Sequence, residues 1–282
     1  MIDLGLGLAR GTALHPCWLS GERTPANVDE ALDALREVSR QLRQRRDNRA
    51  IFPDVYGIIT EKVAQEIHEP TGLFWEPSFI ARLAGCFAER YLDALRSALD
   101  DAPQDCEAWA IAYGCNDVEG LAPLQHAALG ISAHINFDLA LGIHRTIVEL
   151  GASKNTLLIR RFKHDHDQVN RILAASFRPA LERMIDAYGC RTSNLIAHLS
   201  LGFAQRTTLA TLTHWRERVW DNVLALLNCR GSAERQQLRQ QMDRAAGRTG
   251  RLLAMTSAGK LLSRLTRLPG TDRLLSRARP HA

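Results

Sequence analysis

The chain has 282 residues, 45% hydrophobic and 24% charged, which suits one large or two small globular domains and excludes a disordered chain. Ten prolines and 19 glycines are too few for a loop-rich or repeat protein. The formal charge is +5, but from Arg230 onward twelve Arg and Lys face three acids, a net of +9 that leaves −4 for residues 1–229; the basicity belongs to the tail and is no nucleic-acid signature of the whole.

The first residues, MIDLGLGLARGTALHP, lack the basic start and long apolar core of a secretion signal. No apolar run approaches the roughly 18 residues that span a bilayer. The chain is therefore expected to be cytoplasmic. Six cysteines without a CxxC pair read as free, mostly buried thiols.

In chain order, residues 1–27 form an N-terminal extension. A first amphipathic helix is predicted over 28–45, with Val28, Ala31, Leu32, Leu35, Val38 and Leu42 at the spacing of one face. Asn27 is placed to cap it, with Glu30 completing a capping box. FPDVYG, with Pro53 and Gly57, reads as a turn before a short helix over 58–67. A long helix over 78–100 turns Ile80, Leu83, Phe87, Tyr91 and Leu95 inward. A shorter helical piece surrounds Trp109. Pro123 opens a helix that runs to about residue 150. LLIRRF reads as a short strand or an extended lead into a helix over 165–188, which Gly189 stops. Helices near 193–205 and 208–228 follow. Alternating strand pairs are absent from the sequence pattern. The predicted architecture is all-α, a single multi-helix bundle-like domain over 28–230. A basic amphipathic tail over 231–282 follows, with Leu261, Leu262, Leu265 and Leu268 beside Lys260, Arg264 and Arg267.

The chemistry-bearing pattern is His126-x7-His134-x3-Asp138 on the helix opened by Pro123. At about 100° per residue these three share one third of the circumference of an apolar helix. Buried imidazoles and carboxylates cost several kcal/mol unless paired or liganded. A His and an Asp one turn apart can share a metal ion or a carboxylate–imidazole hydrogen bond. The rise from His126 to Asp138, about 18 Å, keeps one ion from touching both, so His126 would bind a second ion or stand behind the ligands of the first. The run Lys163-His-Asp-His-Asp-Gln-Val-Asn170 supplies a second cluster, from which Asp167 and Asn170 are expected to face inward beside Val169 and Leu173. His144 completes a His-x3-Asp-x5-His order similar to that of the helical zinc phospholipase C and nuclease group. The chain lacks that group's His-x3-Glu pair and N-terminal Trp, and His144 is expected to be exposed. Trp75, Arg90, Tyr91, Trp109, Arg216 and Trp220 occupy helical positions. Arg90 and Arg216, if partly buried, require a carboxylate or an anionic ligand. Glu-x-x-His, Gly-x-Ser-x-Gly, P-loop and dinucleotide patterns do not occur.

FPDVYGIIT, FIARLAGCFAERYLDAL, PLQHAALGISAHINFDLALG, HDQVNRIL and WRERVWDNVLALL follow one another in the order of blocks that resemble an uncharacterised, mainly actinobacterial family, a domain of unknown function. The resemblance covers roughly residues 50–230. It implies a cytosolic helical domain centred on AHINFDL and supplies no activity.

The expected function is a metal-dependent enzyme, in its plainest form a hydrolase of an ester or phosphoester. His134, Asp138 and Asp167 would hold a divalent metal, zinc or iron. His126, Asp167 and Asn170 would be catalytic, and Arg90, Tyr91, Trp109 and Arg216 would bind a small-molecule substrate. A non-haem iron oxygenase fits the same residue types. A non-catalytic binding module for an apolar ligand, a partner or an anionic membrane surface is the alternative, with the basic tail making the surface contact. Nucleic acid is not an expected partner.

Overall fold

The computed structural model describes residues 17–116, 121–189 and 201–255. All regular structure among them is helical: α1 (Val28–Gln44), a 3-10 turn (Asn48–Ala50), α2 (Ile51–His68), α3 (Pro77–Leu99), α4 (Glu107–Gly114), α5 (Pro123–Ala133), a π-helical turn (His134–Asp138), α6 (Leu139–Glu149), α7 (Thr156–Tyr188), α8 (Leu201–Asn228) and α9 (Ser232–Met255). The expected fold class is thus the observed one.

α1 forms where the sequence places it. Asn27 Oδ1 accepts from the Asp29 and Glu30 amides at 3.0 and 3.1 Å, while the Glu30 carboxylate reaches back to the Ala26 amide at 2.8 Å. All six residues of the predicted inner face are buried, and each large apolar side chain contributes about 1.5–3 kcal/mol by leaving water. α1 packs on α2 and α3, α2 on α7, α3 on α6, and α8 on α6 and α7.

Two segments differ from the sequence reading. FPDVYG is not a turn: it is the first part of α2, with Ile51 through Tyr56 all buried. Pro53 sits in the first helical turn, where its missing N–H has no helical acceptor to lose. LLIRRF is neither strand nor extended. Asn155 caps α7 by accepting from the Leu158 amide at 3.1 Å, so the helix begins at Thr156. It ends as expected at Gly189, whose φ of 57° is a left-handed cap.

The Asp165 carboxylate, wholly buried in the middle of α7, accepts from the Trp75 and Glu76 amides at 2.7 Å each. It thereby satisfies amides that have no helical acceptor at the start of α3. α9 packs against α4 and α5, with Met242, Ala246, Gly247 and Gly250 buried. The helical body therefore continues past residue 230 to Met255. The leucine stripe expected at Leu261 to Leu268 lies outside the described residues.

Of the cysteines, Cys86 and Cys106 are buried, Cys115 and Cys229 half-buried and Cys17 exposed, all as free thiols; Cys190 lies outside the described residues. His144 is half-buried rather than exposed. Among the described residues no helix is long and apolar enough to cross a membrane. The π turn sits at the middle of the bundle, in contact with α3, α5, α6, α8 and α9.

Candidate functional site

His134 and Asp138 bracket the π turn, so the helix that the sequence reads as continuous widens at the predicted pair. π turns forgo regular i→i−4 bonding and cluster at functional positions. Asp138 is 2% exposed. One oxygen accepts from Arg90 Nε of α3 at 3.0 Å. The other accepts from Trp109 Nε1 of α4 at 2.8 Å and lies 3.0 Å from His134 Nδ1. One carboxylate thus ties three elements together, and each charge-assisted bond is worth roughly 1.5–3 kcal/mol. Burial pushes the Asp138 carboxyl upward, but the His134, Arg90 and Trp109 contacts outweigh it and hold the group below its ordinary range. Asp138 is therefore ionised at neutral pH.

An ionised Asp138 fixes the His134 proton on Nδ1. Burial, against the pull of Asp138, holds the imidazole below its ordinary value of 6.5, so the ring is neutral and Nε2 carries a lone pair. Nε2 is buried and has no hydrogen-bond partner among the described residues. The ring stacks on Phe87 at 3.4 Å between centroids and 7° between planes, with Tyr56 at 4.8 Å and Phe52 at 5.5 Å edge-on. Gly130 makes this enclosure possible, because a Cβ there would stand 2.6 Å from Phe52 Cγ.

His134 lines an apolar cavity of about 90 Å3, together with Tyr56, Val169, Leu212 and Arg216. A neighbouring cavity of about 80 Å3 shares Tyr56, Phe87, Val169 and Arg216 and adds His166. A third, of about 140 Å3, shares Val55, Ile131, Leu173 and Leu212 with the first and continues past Phe177 to Met184. Ile59 lines all three. A larger concavity, about 640 Å3, is an open polar one beside the 3-10 turn, and its lining includes none of Asp138, His134 or Arg216. Small-molecule sites are typically apolar with a few convergent polar groups. The inner cavities have that character: the Tyr56 hydroxyl, His134 Nε2 and Arg216 Nε are all buried without a partner.

The predicted site residues divide accordingly. Arg90, Trp109, His134 and Asp138 come together. Arg90 and Trp109, expected to bind substrate, direct those donors to Asp138 instead. Tyr91 is buried with its ring 5.1 Å edge-on from Phe52, and its hydroxyl has no partner. Asp167 does not join the set. It is half-exposed, and Lys163 Nζ holds its carboxylate at 2.5 and 2.7 Å. Asn170 is half-buried on α7, and His126, half-buried on α5, lies two turns before His134. Among the described residues no three His, Cys, Asp or Glu side chains form a group that could hold a metal ion. Of the expected metal set, Asp138 and His134 are engaged with each other, and Asp167 with a lysine on its own helix.

Asp165 and His166, rather than Asp167 and Asn170, are the buried polar residues of the second cluster, 0% and 1% exposed. Starting α7 nine residues earlier than predicted explains this, since Phe162, Asp165, His166, Val169, Ile172 and Leu173 then fall at the spacing of one face. Phe52, Tyr56 and Phe87 also belong to the site. Phe52 and Tyr56, one turn apart, were legible only if FPDVYG is read as helix.

No curated protein and no solved structure matches the chain. A family profile covers residues 28–256, and the chain belongs to that family of unknown function, DUF5995.

Proposed function

We propose that the protein is an enzyme acting on an apolar small molecule, with His134 as the proton acceptor and Asp138 as its positioning residue. One observation carries this reading: Nδ1 is committed to an ionised, triply bonded carboxylate, while Nε2 is buried without a partner on a ring that lines a cavity. A histidine oriented in this way is a general base, and its charged form is stabilised by the carboxylate behind it.

The plainest reaction is ester hydrolysis. Nε2 takes a proton from a water molecule as the water oxygen bonds to the ester carbonyl carbon. The imidazolium returns that proton to the departing alkoxide as its bond to carbon breaks.

The test is hydrolysis of a panel of short aliphatic and aromatic esters by the wild type, His134→Gln and Asp138→Asn. Loss of a positioned base lowers the rate by about 10²–10⁴-fold. Equal rates in the wild type and His134→Gln would exclude the base.

A second reading is favoured by the apolar walls of the three cavities: a binding module that holds an apolar ligand without changing it. Mass spectrometry separates the two. A compound retained unaltered by both the wild type and His134→Gln supports the module. A compound consumed by the wild type and retained by the variant supports the enzyme.

A further inference from the structure

Arg216 is 6% exposed on α8 and lines both the 90 Å3 and the 80 Å3 cavities. Its guanidinium is held by His166: one terminal nitrogen donates to the His166 carbonyl oxygen and lies 3.2 Å from His166 Nδ1. His166 Nε2 in turn lies 3.1 Å from the Arg216 carbonyl oxygen, so it donates there and leaves Nδ1 as an acceptor. Both partners of the guanidinium are neutral. The nearby acids Asp167 and Glu217 are engaged by Lys163, Asp167 at 2.5 Å and Glu217 at 3.3 Å. Among the described residues no carboxylate forms an ion pair with Arg216. Among the described residues Arg216 Nε has no hydrogen-bond partner.

A buried arginine is normally paired with a carboxylate or another anion, because a desolvated charge without a counter-charge is destabilising. Here the desolvation is strong enough to bring the guanidinium down to about 10. Tyr56 lines the same two cavities, and its buried hydroxyl is a second donor without a partner among the described residues. The third cavity shares Val55, Ile59, Ile131, Leu173 and Leu212 with the first and runs between Phe177, Leu181 and Met184. Its walls are apolar except for Ser176 and Thr208.

We propose that the cavities take an apolar carboxylate, with its charged head between Arg216 Nε and the Tyr56 hydroxyl and its hydrocarbon body along α7 towards Met184. This deepens the reading of the cavity as a ligand site and defines the ligand class by charge and shape. Arg216 supplies charge and a fixed planar donor, Tyr56 a neutral donor, and the apolar walls the greater part of the buried area. His134 lines the head end, so a reacting group near the carboxylate would be the one presented to the base.

The experiment compares octanoate, octan-1-ol and octylamine as ligands of the full chain, by calorimetry and by the shift in melting temperature. The expected order is octanoate tightest by at least tenfold, octan-1-ol weaker and octylamine absent. Arg216→Met, which keeps an unbranched apolar stem, is expected to remove the preference for octanoate over octan-1-ol. Tyr56→Phe is expected to weaken octanoate several-fold. If Arg216→Met does not fold, 13C spectra of carboxyl-labelled octanoate bound to the wild type replace it, because a carboxylate against a guanidinium stays ionised to lower pH than the free acid. Equal binding of octanoate and octan-1-ol, binding of none of the three, or an unshifted carboxyl titration would each overturn the assignment. Turnover plays no part in these readouts, so a failure of His134 as a base would leave this result readable, and the reverse also holds.

Discussion

Arg90 and His134 reach the same carboxylate from opposite chemical sides: Arg90 Nε bonds one oxygen of Asp138 at 3.0 Å, and His134 Nδ1 meets the other at 3.0 Å within a single π turn. The guanidinium keeps the acid ionised and the acid keeps the imidazole proton on Nδ1. α3, α4 and the π turn are joined at the point where the cavity begins.

Asp138→Asn separates the charge from the shape. The amide keeps an acceptor for Trp109 or Arg90 but leaves Arg90 without its counter-charge and turns an N–H towards one of the former donors. Breaking a buried pair costs about 3–5 kcal/mol. Arg90 is 25% exposed, which lowers the expectation to about 2–3 kcal/mol. Urea unfolding of the variant against the wild type measures it. A loss under about 0.5 kcal/mol, the range of an ordinary surface change, would show that the carboxylate does not hold the helices together.

Acid should destabilise the fold through its buried histidines. Burial holds His134 below 6.5, and burial with the charges of Arg216 and Lys163 holds His166 well below it. The unfolded chain therefore takes up protons first as the pH falls. Stability from these groups is complete above about 6.5 and is lost below it, by up to about 1.4 kcal/mol per pH unit for each histidine. Urea midpoints at pH 7.5 and 5.5 are expected to differ accordingly, and His166→Gln to reduce the difference. A flat profile over that interval would contradict the burial of both rings as neutral species.

Asp165→Ala should unfasten the start of α3. The change leaves the Trp75 and Glu76 amides without their acceptor. Unsatisfied buried groups cost about 1–3 kcal/mol each; these two amides are only partly buried, so a combined loss of roughly 1–3 kcal/mol is expected. Hydrogen exchange at residues 75–80 should quicken more than exchange in α1. Uniform exchange across the two helices would assign Asp165 a different part.

Gly130→Ala tests the fit of the aromatic enclosure. Helix propensity favours alanine by about 1 kcal/mol. The new Cβ would meet the Phe52 ring at 2.6 Å, and overpacking of that kind costs about 1–3 kcal/mol. A net loss near 1 kcal/mol is expected, with a changed chemical shift for the His134 ring. A stabilised variant with an unmoved ring would mean that the enclosure is loose.

The helical class, the inner face of α1 and the burial of His134 and Asp138 were legible in the sequence because each rests on local periodicity and on the cost of burying polar groups. The partners of Asp138 were legible only in part. Arg90 and Trp109 stood out as residue types, but 48 and 29 residues separate them from Asp138, and no local pattern fixes such a pairing. In the second cluster, Asp167 and Asn170 flank Val169, but Asp165 and His166, four and three residues before it, hold the buried face; a start at 165 left those two in a solvated first turn, whereas the Asn155 cap places them well inside the helix. The π turn left no trace in the spacing, since a His and an Asp four apart pair equally well on a regular helix. Pro53 and Gly57 suggested a turn and concealed Phe52 and Tyr56, because proline in a first helical turn looks the same in sequence as proline in a loop.

The central claim is that His134 is a neutral base with its lone pair on Nε2. Nitrogen-15 spectra of histidine-labelled protein at pH 7 read this directly. The expected result is a protonated Nδ1 and an unprotonated Nε2, with the imidazolium forming at a lower pH than in the urea-unfolded chain and both signals altered in Asp138→Asn. A proton on Nε2, or an imidazolium at pH 7, would contradict it.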